Sequence, residues 1–221
     1  MRFYQELTLI KTPEITPYFI WSKLYSQLHL AFVEQQNPDK TVNFGVSFPE
    51  YKYQQKDNKE FASLGTKLRI FAPSEQALQQ LNLNKWLERL TDYVHIKSIQ
   101  LVPDYVNHHL LVKRYRADTN IERLTRRFMQ RESKRVSTEI SFELAKLMQQ
   151  QRFMEKNKVS LQEAEKHYQH PQVKNFPFIQ IKSHSESQRF SLQIEQVAVE
   201  QPVQGTFSTY GLSSRTTVPH W

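Results

Sequence analysis

The chain has 221 residues, a length that holds one large or two small domains, and no cysteine, which excludes disulfides, thiol catalysis and cysteine-ligated zinc. Its formal net charge of +8 is unevenly spread: 12 basic and 10 acidic residues precede Pro103, and 18 basic and 12 acidic residues follow it. The positive field therefore belongs mainly to the second half and points to nucleic acid or an acidic surface.

Taken in order, Phe3 to Ile10 alternates polar and apolar residues, the pattern of a strand. Pro17 suits a helix start, and the helix is expected to run to about Gln36 with Ile20, Leu24, Leu28 and Ala31 as its core stripe. His29 falls about 180° from Ile20 on that wheel, away from the stripe and near Ser22 and Tyr25. The aromatics Trp21, Tyr25 and Phe32 imply that this side is covered too, by a second domain or by RNA. Val42 to Phe48 reads as a short strand ended by Pro49, and Tyr51 to Glu60 as a polar surface loop. Leu64 to Phe71 is a further strand. Ser74 and Glu75 open a short helix, with another turn or two around Trp86 and Leu90. Tyr93 to Val102 alternates again. The order β-α-β-β-α-β is that of a ferredoxin-like split βαβ unit, an antiparallel sheet with two helices on one face. The fold class expected is α+β, with domains 1–103 and 104–221 meeting at Pro103-Asp104.

In the second half, Tyr105 to Arg116 reads as extended chain. Residues 119–135 follow, TNIERLTRRFMQRESKR, in which Thr119 and Glu122 make a capping box. Ile121, Leu124 and Phe128 fall on one side of the helix, and Arg123, Arg126, Arg127, Gln130, Arg131 and Lys134 spread over the other. Lys113 to Arg135 contains 9 Lys or Arg against Asp118, Glu122 and Glu132. Charges this dense repel one another and call for a polyanion; the arginine fork fits phosphate or the guanine edge. A second helical tract, Ser137 to Asn157, offers Phe142, Ala145, Met148 and Phe153 for packing. Ser160 and Glu163 cap another helix to about His170. Pro177 to Ile181, Arg189 to Val197 and Gly205 to Leu212 are strand candidates.

No apolar run approaches about 18 residues and the first residues, MRFYQE, are no signal peptide, so a cytosolic protein is expected. The 4 glycines form no phosphate-binding loop, and the 8 histidines show no compact metal-ligand spacing beyond His108-His109, which a strand would point to opposite faces. No cofactor and no metal are expected. Two clusters stand out near the end, SHSESQRF at 183–190 and YGLS at 210–213. Phe190 suits a strand core or a stacking platform, and Tyr210 suits a strand end or a ligand contact. Paired carboxylates for a two-metal nuclease are not visible. RNA allows another route: its 2′-hydroxyl attacks the adjacent phosphate once a base such as histidine takes the proton, Ser or Tyr holds the oxygen, and Arg or Lys offsets phosphate charge.

The blocks SQLHLAFV at 26–33, FGVSFPE at 44–50, LGTKLRIFA at 64–72, NIERLTRRFMQR at 120–131, SHSESQRF at 183–190 and YGLS at 210–213 together resemble the type I-F CRISPR-associated endoribonuclease, the family that processes CRISPR repeat RNA. Their order and spacing follow the family over most of the chain. The resemblance implies an N-terminal ferredoxin-like domain and a C-terminal domain carrying the arginine-rich helix, which grips a repeat hairpin and cuts at its 3′ base. It implies His29 as catalytic histidine, Ser183 as the serine restraining the attacking nucleotide, and Tyr210 as catalytic-site tyrosine. It also implies Ser185 near the cleavage site, Phe190 as a stacking residue, Arg114 and Arg116 as base readers, and Arg123, Arg126, Arg127 and Arg131 in the RNA groove. Product retained in a type I-F surveillance complex, with target DNA touched only indirectly, follows from the same resemblance. Three departures stand out. Arg116 replaces a possible glutamine, Gln130 replaces a possible groove arginine, and residues 135–174 are longer than expected, as a helical arm for longer RNA or a partner subunit would be. The competing classes are a catalytically silent RNA-hairpin subunit, which the joint presence of His29, Ser183 and Tyr210 argues against, and a DNA-binding factor, which leaves the N-terminal unit without a role.

Overall fold

The computed structural model describes residues 1–56, 59–116, 120–132, 140–169, 173–182 and 189–221. In chain order its elements are β1 (Phe3–Leu9), α1 (Pro17–Glu34), β2 (Gly45–Ser47), β3 (Lys52–Lys56), β4 (Lys59–Ser63), β5 (Lys67–Ala72), α2 (Glu75–Leu81), α3 (Leu83–Trp86), β6 (Val94–Ile96), β7 (Gln100–Leu101), β8 (His108–Tyr115), α4 (Ile121–Glu132), α5 (Phe142–Asn157), α6 (Leu161–Gln169), β9 (Phe178–Lys182), β10 (Arg189–Val199) and β11 (Val218–His220). The fold is α+β with antiparallel sheets. Packing divides it into two compact units, Met1–Tyr115 with Asn175–Trp221, and Arg116–Lys174. Among the described residues no helix is long and apolar enough to cross a membrane.

In the first unit one sheet runs β2-β5-β1-β6, with β7 also pairing β1. Its main strands lie in the order that a ferredoxin-like unit requires, with β3 and β4 inserted between the second and third. The expected strand from Tyr93 to Val102 is broken. β6 pairs the end of β1 and β7 pairs its start. Between them the Lys97 carbonyl accepts from the Gln5 side-chain amide at 2.9 Å, and the Lys97 ammonium reaches Glu6 at 2.7 Å. The Lys97 N–H still donates to the Glu6 carbonyl at 2.9 Å, so one backbone bond and these side chains bridge the gap.

The second sheet runs β11-β8-β10-β9. Buried residues of both sheets and of α1 form one continuous core. The expected stripe Ile20, Leu24, Leu28 and Ala31 is buried, and so are Trp21, Tyr25 and Phe32 on the flank. Large buried side chains contribute about 1.5–3 kcal/mol each, which fixes α1 on two sides. The flank is covered by the chain itself: Trp21 Nε1 donates to the Gly65 carbonyl at 3.2 Å, and the Tyr25 hydroxyl donates to the Tyr210 carbonyl at 2.9 Å.

Two expectations are corrected in this unit. Tyr51 to Glu60 is not a loop, because β3 and β4 pair in register from Lys52↔Ser63 to Lys56↔Lys59. Gly205 to Leu212 is not a strand. One bridge, Val42↔Phe207, ties it to the body, and it then turns at Gly211, whose φ of +70° suits glycine. Instead a short β11 pairs β8 near the end of the chain.

The second unit contains α4, α5 and α6. On α4, Phe128 and Thr125 are buried, Ile121 and Leu124 are half-buried, and Arg123, Arg126, Arg127, Gln130 and Arg131 are exposed. The Arg152 guanidinium lies 4.6 Å over the Phe128 ring. Asn120 is the cap, its Oδ1 accepting from the Arg123 N–H at 2.8 Å. Thr119, expected to cap, lies outside the described residues, and Glu122 pairs with Arg126 at 3.4 Å. On α6 the expected box is present: the Ser160 N–H donates to Glu163 at 2.8 Å, and the Glu163 N–H to Ser160 Oγ at 3.3 Å. Phe153 of α5 stacks on His167 of α6 at 4.4 Å.

Candidate active site and nucleic-acid interface

His29 sits in the fourth turn of α1, on the flank away from the Ile20 stripe. Its Nδ1 lies 2.8 Å from the carbonyl oxygen of Thr209. A carbonyl only accepts, so Nδ1 carries the proton, and in the neutral ring the basic lone pair is on Nε2. The ring also stacks on Tyr210, with centroids 4.1 Å apart and planes within 7°. A hydrogen bond and a stack together fix both the tautomer and the tilt of the imidazole.

Tyr210 is itself held. Its carbonyl accepts from Tyr25, and the Gly211 that follows bonds to β2 through Val46 N–H to Gly211 O at 3.0 Å. A Cβ at Gly211 would meet Val46 at 2.6 Å and Phe32 at 3.1 Å, so the loop lies tight against the body. Two residues further on, the Ser213 N–H donates to the Val112 carbonyl of β8 at 2.9 Å. Burial pushes the Tyr210 phenol above its ordinary value, against the opposing charge of Arg114. The hydroxyl is therefore a neutral donor across the whole physiological range. Burial raises Tyr25 still further, with the charge of Tyr210 adding to it.

Phe190, at the start of β10, meets Tyr210 edge to face at 6.3 Å. The Arg114 guanidinium, near the end of β8, lies 5.0 Å over the Phe190 ring. The chain thus gathers His29, Tyr210, Phe190 and Arg114 from four places into one cluster: an imidazole, the ring stacked on it, a second aromatic ring and a guanidinium. An oriented imidazole can take up a proton, and a nearby guanidinium can offset the charge of a bound anion.

Ser183 and Ser185 lie outside the described residues. Arg116 is exposed and belongs to the second unit, as do Arg123, Arg126, Arg127, Gln130 and Arg131 on the exposed side of α4. Two contributors escape a reading of the sequence. Thr209 acts through its backbone, which no side-chain pattern reports. Tyr25 is visible there only as an aromatic beside His29. Among the described residues no group of three or more His, Asp or Glu is placed to hold a metal ion.

Comparison with known proteins bears on this arrangement. The family model described as CRISPR-associated protein (Cas_Csy4) matches residues 4–221. A relative from Escherichia coli (strain UTI89 / UPEC), "CRISPR-associated endonuclease Cas6/Csy4", is 28% identical over 220 residues, covering 99% of each chain. One of the same description from Pseudomonas aeruginosa (strain UCBPP-PA14) is 30% identical over 225 residues, again covering 99% of each. A solved structure described as "An RAMP protein binding different RNA substrates" covers 99% of both chains at 13% identity and a TM-score of 0.34, too distant to support an argument. With nearly the whole chain matched, the protein belongs to the Cas6/Csy4 family of CRISPR-associated proteins.

Proposed function

We propose that this protein is a metal-independent endoribonuclease that cleaves CRISPR repeat RNA at the 3′ base of a hairpin and stays bound to the mature guide RNA. The observation that carries the reading is the state of His29: Nδ1–H is committed to the Thr209 carbonyl and the ring is clamped on Tyr210, so Nε2 is the nitrogen that can take a proton. Family membership supplies the substrate class.

In this mechanism Nε2 of His29 removes the proton from the 2′-hydroxyl of the nucleotide upstream of the cut. The 2′-oxygen attacks the adjacent phosphorus, the bond to the next 5′-oxygen breaks, and that oxygen takes up a proton as it leaves. The products are a 2′,3′-cyclic phosphate and a 5′-hydroxyl. Tyr210 holds the imidazole, Ser183 restrains the attacking nucleotide with Ser185 near the cleavage site, and Phe190 stacks a base. Arg114 offsets phosphate charge and, with Arg116, reads bases. Arginine at 116 offers donors only, where glutamine offers a donor and an acceptor, so the repeat sequence preferred differs accordingly. Arg123, Arg126, Arg127, Gln130 and Arg131 line the RNA groove. Residues 1–103 then serve as the ferredoxin-like catalytic-histidine domain and 104–221 as the RNA-binding domain. The protein works in the cytoplasm beside other subunits of a type I-F complex.

His29→Ala decides between this enzyme and a silent hairpin-binding subunit. Cleavage of a repeat hairpin in single turnover is expected to fall by about 10²–10⁴-fold, the usual contribution of a general base, with hairpin affinity within a few-fold of wild type. Unchanged cleavage overturns the assignment of His29. No cleavage by the wild type, with intact binding, favours the silent subunit.

A further inference from the structure

The β3–β4 hairpin has two unlike faces, because residues alternate sides along each strand. One face is rooted. Tyr53 packs on Phe176 at 4.4 Å between ring centroids, and its hydroxyl donates to Glu60 at 2.9 Å. Glu60 in turn accepts from the side-chain amide of Asn175 at 2.5 Å. Just before β3, the Tyr51 hydroxyl donates to the Ile194 carbonyl of β10 at 3.1 Å.

The other face pairs Lys52 with Ser63, Gln54 with Phe61 and Lys56 with Lys59. All three lysines and Gln54 are exposed, and Phe61 is 58% exposed. This face is poorly made as plain surface. Lys56 and Lys59 are directly opposite, an arrangement of like charges that destabilises a hairpin. Three lysines of this unit are matched, Lys67 with Glu50, Lys97 with Glu6 and Lys113 with Glu195, while Lys11, Lys23, Lys40, Lys85 and Lys182 stand singly and without an opposed lysine. Among the described residues no carboxylate pairs with Lys52, Lys56 or Lys59. A bare phenylalanine stands between them.

A chain of phosphates carrying flat, unpaired bases satisfies both features. Phosphates relieve the lysines, and a base stacks on Phe61. A duplex offers no free base face, and an acidic peptide gives the lysines partners but leaves Phe61 without a flat one. The root of the hairpin is tied to β8, where Phe176 meets Tyr115 edge to face at 4.8 Å; Arg114 precedes Tyr115 on that strand and faces the other way. We infer that the outer face of β3–β4 binds single-stranded RNA flanking the folded part of the substrate. The inference rests on the proposed RNA-processing role for the choice of RNA as the polyanion.

The test uses the full chain and fluorescence anisotropy over a salt series. The probes are a repeat stem-loop, the same stem-loop with a ten-uridine flank at either end, and polyglutamate. The flank is expected to tighten binding to the wild type. The triple variant K52Q/K56Q/K59Q should lose most of that gain and flatten the log-log salt slope by about 0.7 for each phosphate it no longer neutralises. Phe61→Ala should weaken flanked binding about fivefold or more. Both variants should bind the bare stem-loop like wild type, which also shows that they are folded. A flank that adds nothing, or variants that keep the gain, overturns the inference while stem-loop binding leaves the processing role standing. Polyglutamate binding that the triple variant loses and Phe61→Ala does not, with no flank effect, makes the face a protein dock and overturns it too. If the wild type does not bind the stem-loop, the processing role falls, and a free uridine decamer with the same variants decides the face by itself.

Discussion

His29 is held by a backbone carbonyl on one nitrogen and by a ring on one face, so in the proposed mechanism its reactivity depends on both neighbours. The stack rather than the hydroxyl of Tyr210 does the holding. Tyr210→Phe keeps the ring and is expected to retain cleavage within about tenfold, whereas Tyr210→Ala frees the imidazole and should cost on the order of 10²-fold, since misplacement of about 1 Å is worth that much. Single-turnover rates for the two variants check this, with hairpin binding measured alongside. Because burial raises the Tyr210 phenol above its ordinary value of 10, the wild-type rate should show no loss below pH 10 from ionisation of this group. Glu6 makes a second prediction at this scale. It is 4% exposed and bridges Arg69 at 2.8 Å and Lys97 at 2.7 Å. Burial pushes its carboxyl up, but the two cationic hydrogen-bond donors outweigh burial and the net shift is downward. A depressed folded-state value means stability that is present above the ordinary 4.5 and lost as pH falls through the folded value. Glu6→Gln should therefore cost about 1–3 kcal/mol near pH 7, because the Arg69 side chain is only 11% exposed but that of Lys97 is 47% exposed and screened, and progressively less below pH 4.5. Urea melts of both proteins across pH check the sign.

At the scale of elements, α4 presents its arginines on one side and buries Phe128 and Thr125 on the other. Neutralising Arg123, Arg127 and Arg131 together should weaken hairpin binding steeply and flatten its log-log salt dependence by about 0.7–0.9 for each phosphate left without a cation. The check is a salt titration on a variant whose helix content by circular dichroism matches wild type; an unchanged slope places the RNA elsewhere. This helix, the α1 stripe and the strands β1 and β5 were legible because local period alone decides their buried side. The β3–β4 hairpin was not: its Lys and Gln residues read as loop, and only Tyr53, which packs on the distant Phe176, betrays a sheet. Gly205 to Leu212 failed in the opposite sense. Its apolar residues Phe207 and Leu212 are buried, but by plugging into the body rather than by pairing along a strand. The placement of His29 opposite the stripe was legible, while its partners were not. Thr209 and Tyr210 come from 180 residues away or more, and Thr209 offers a carbonyl, which every residue has.

Over the whole molecule, the first unit closes only when the chain returns at Asn175 to add β9, β10 and β11 beside β8 and to lay the Tyr210 loop on α1. No local pattern announces that return, which is why the sequence points to a second domain or RNA as the cover of the helix flank. The division of labour we propose, acid–base chemistry at His29 and grip by a basic second half, makes the attacking group the RNA's own 2′-hydroxyl. The most direct test is single-turnover cleavage in EDTA of a repeat hairpin and of its twin with a 2′-deoxy sugar at the nucleotide upstream of the cut, with product ends analysed. The account predicts full activity on the first, a 2′,3′-cyclic phosphate at the upstream end, and binding without cleavage of the second. Cleavage of the deoxy substrate, or a strict requirement for magnesium, would contradict it.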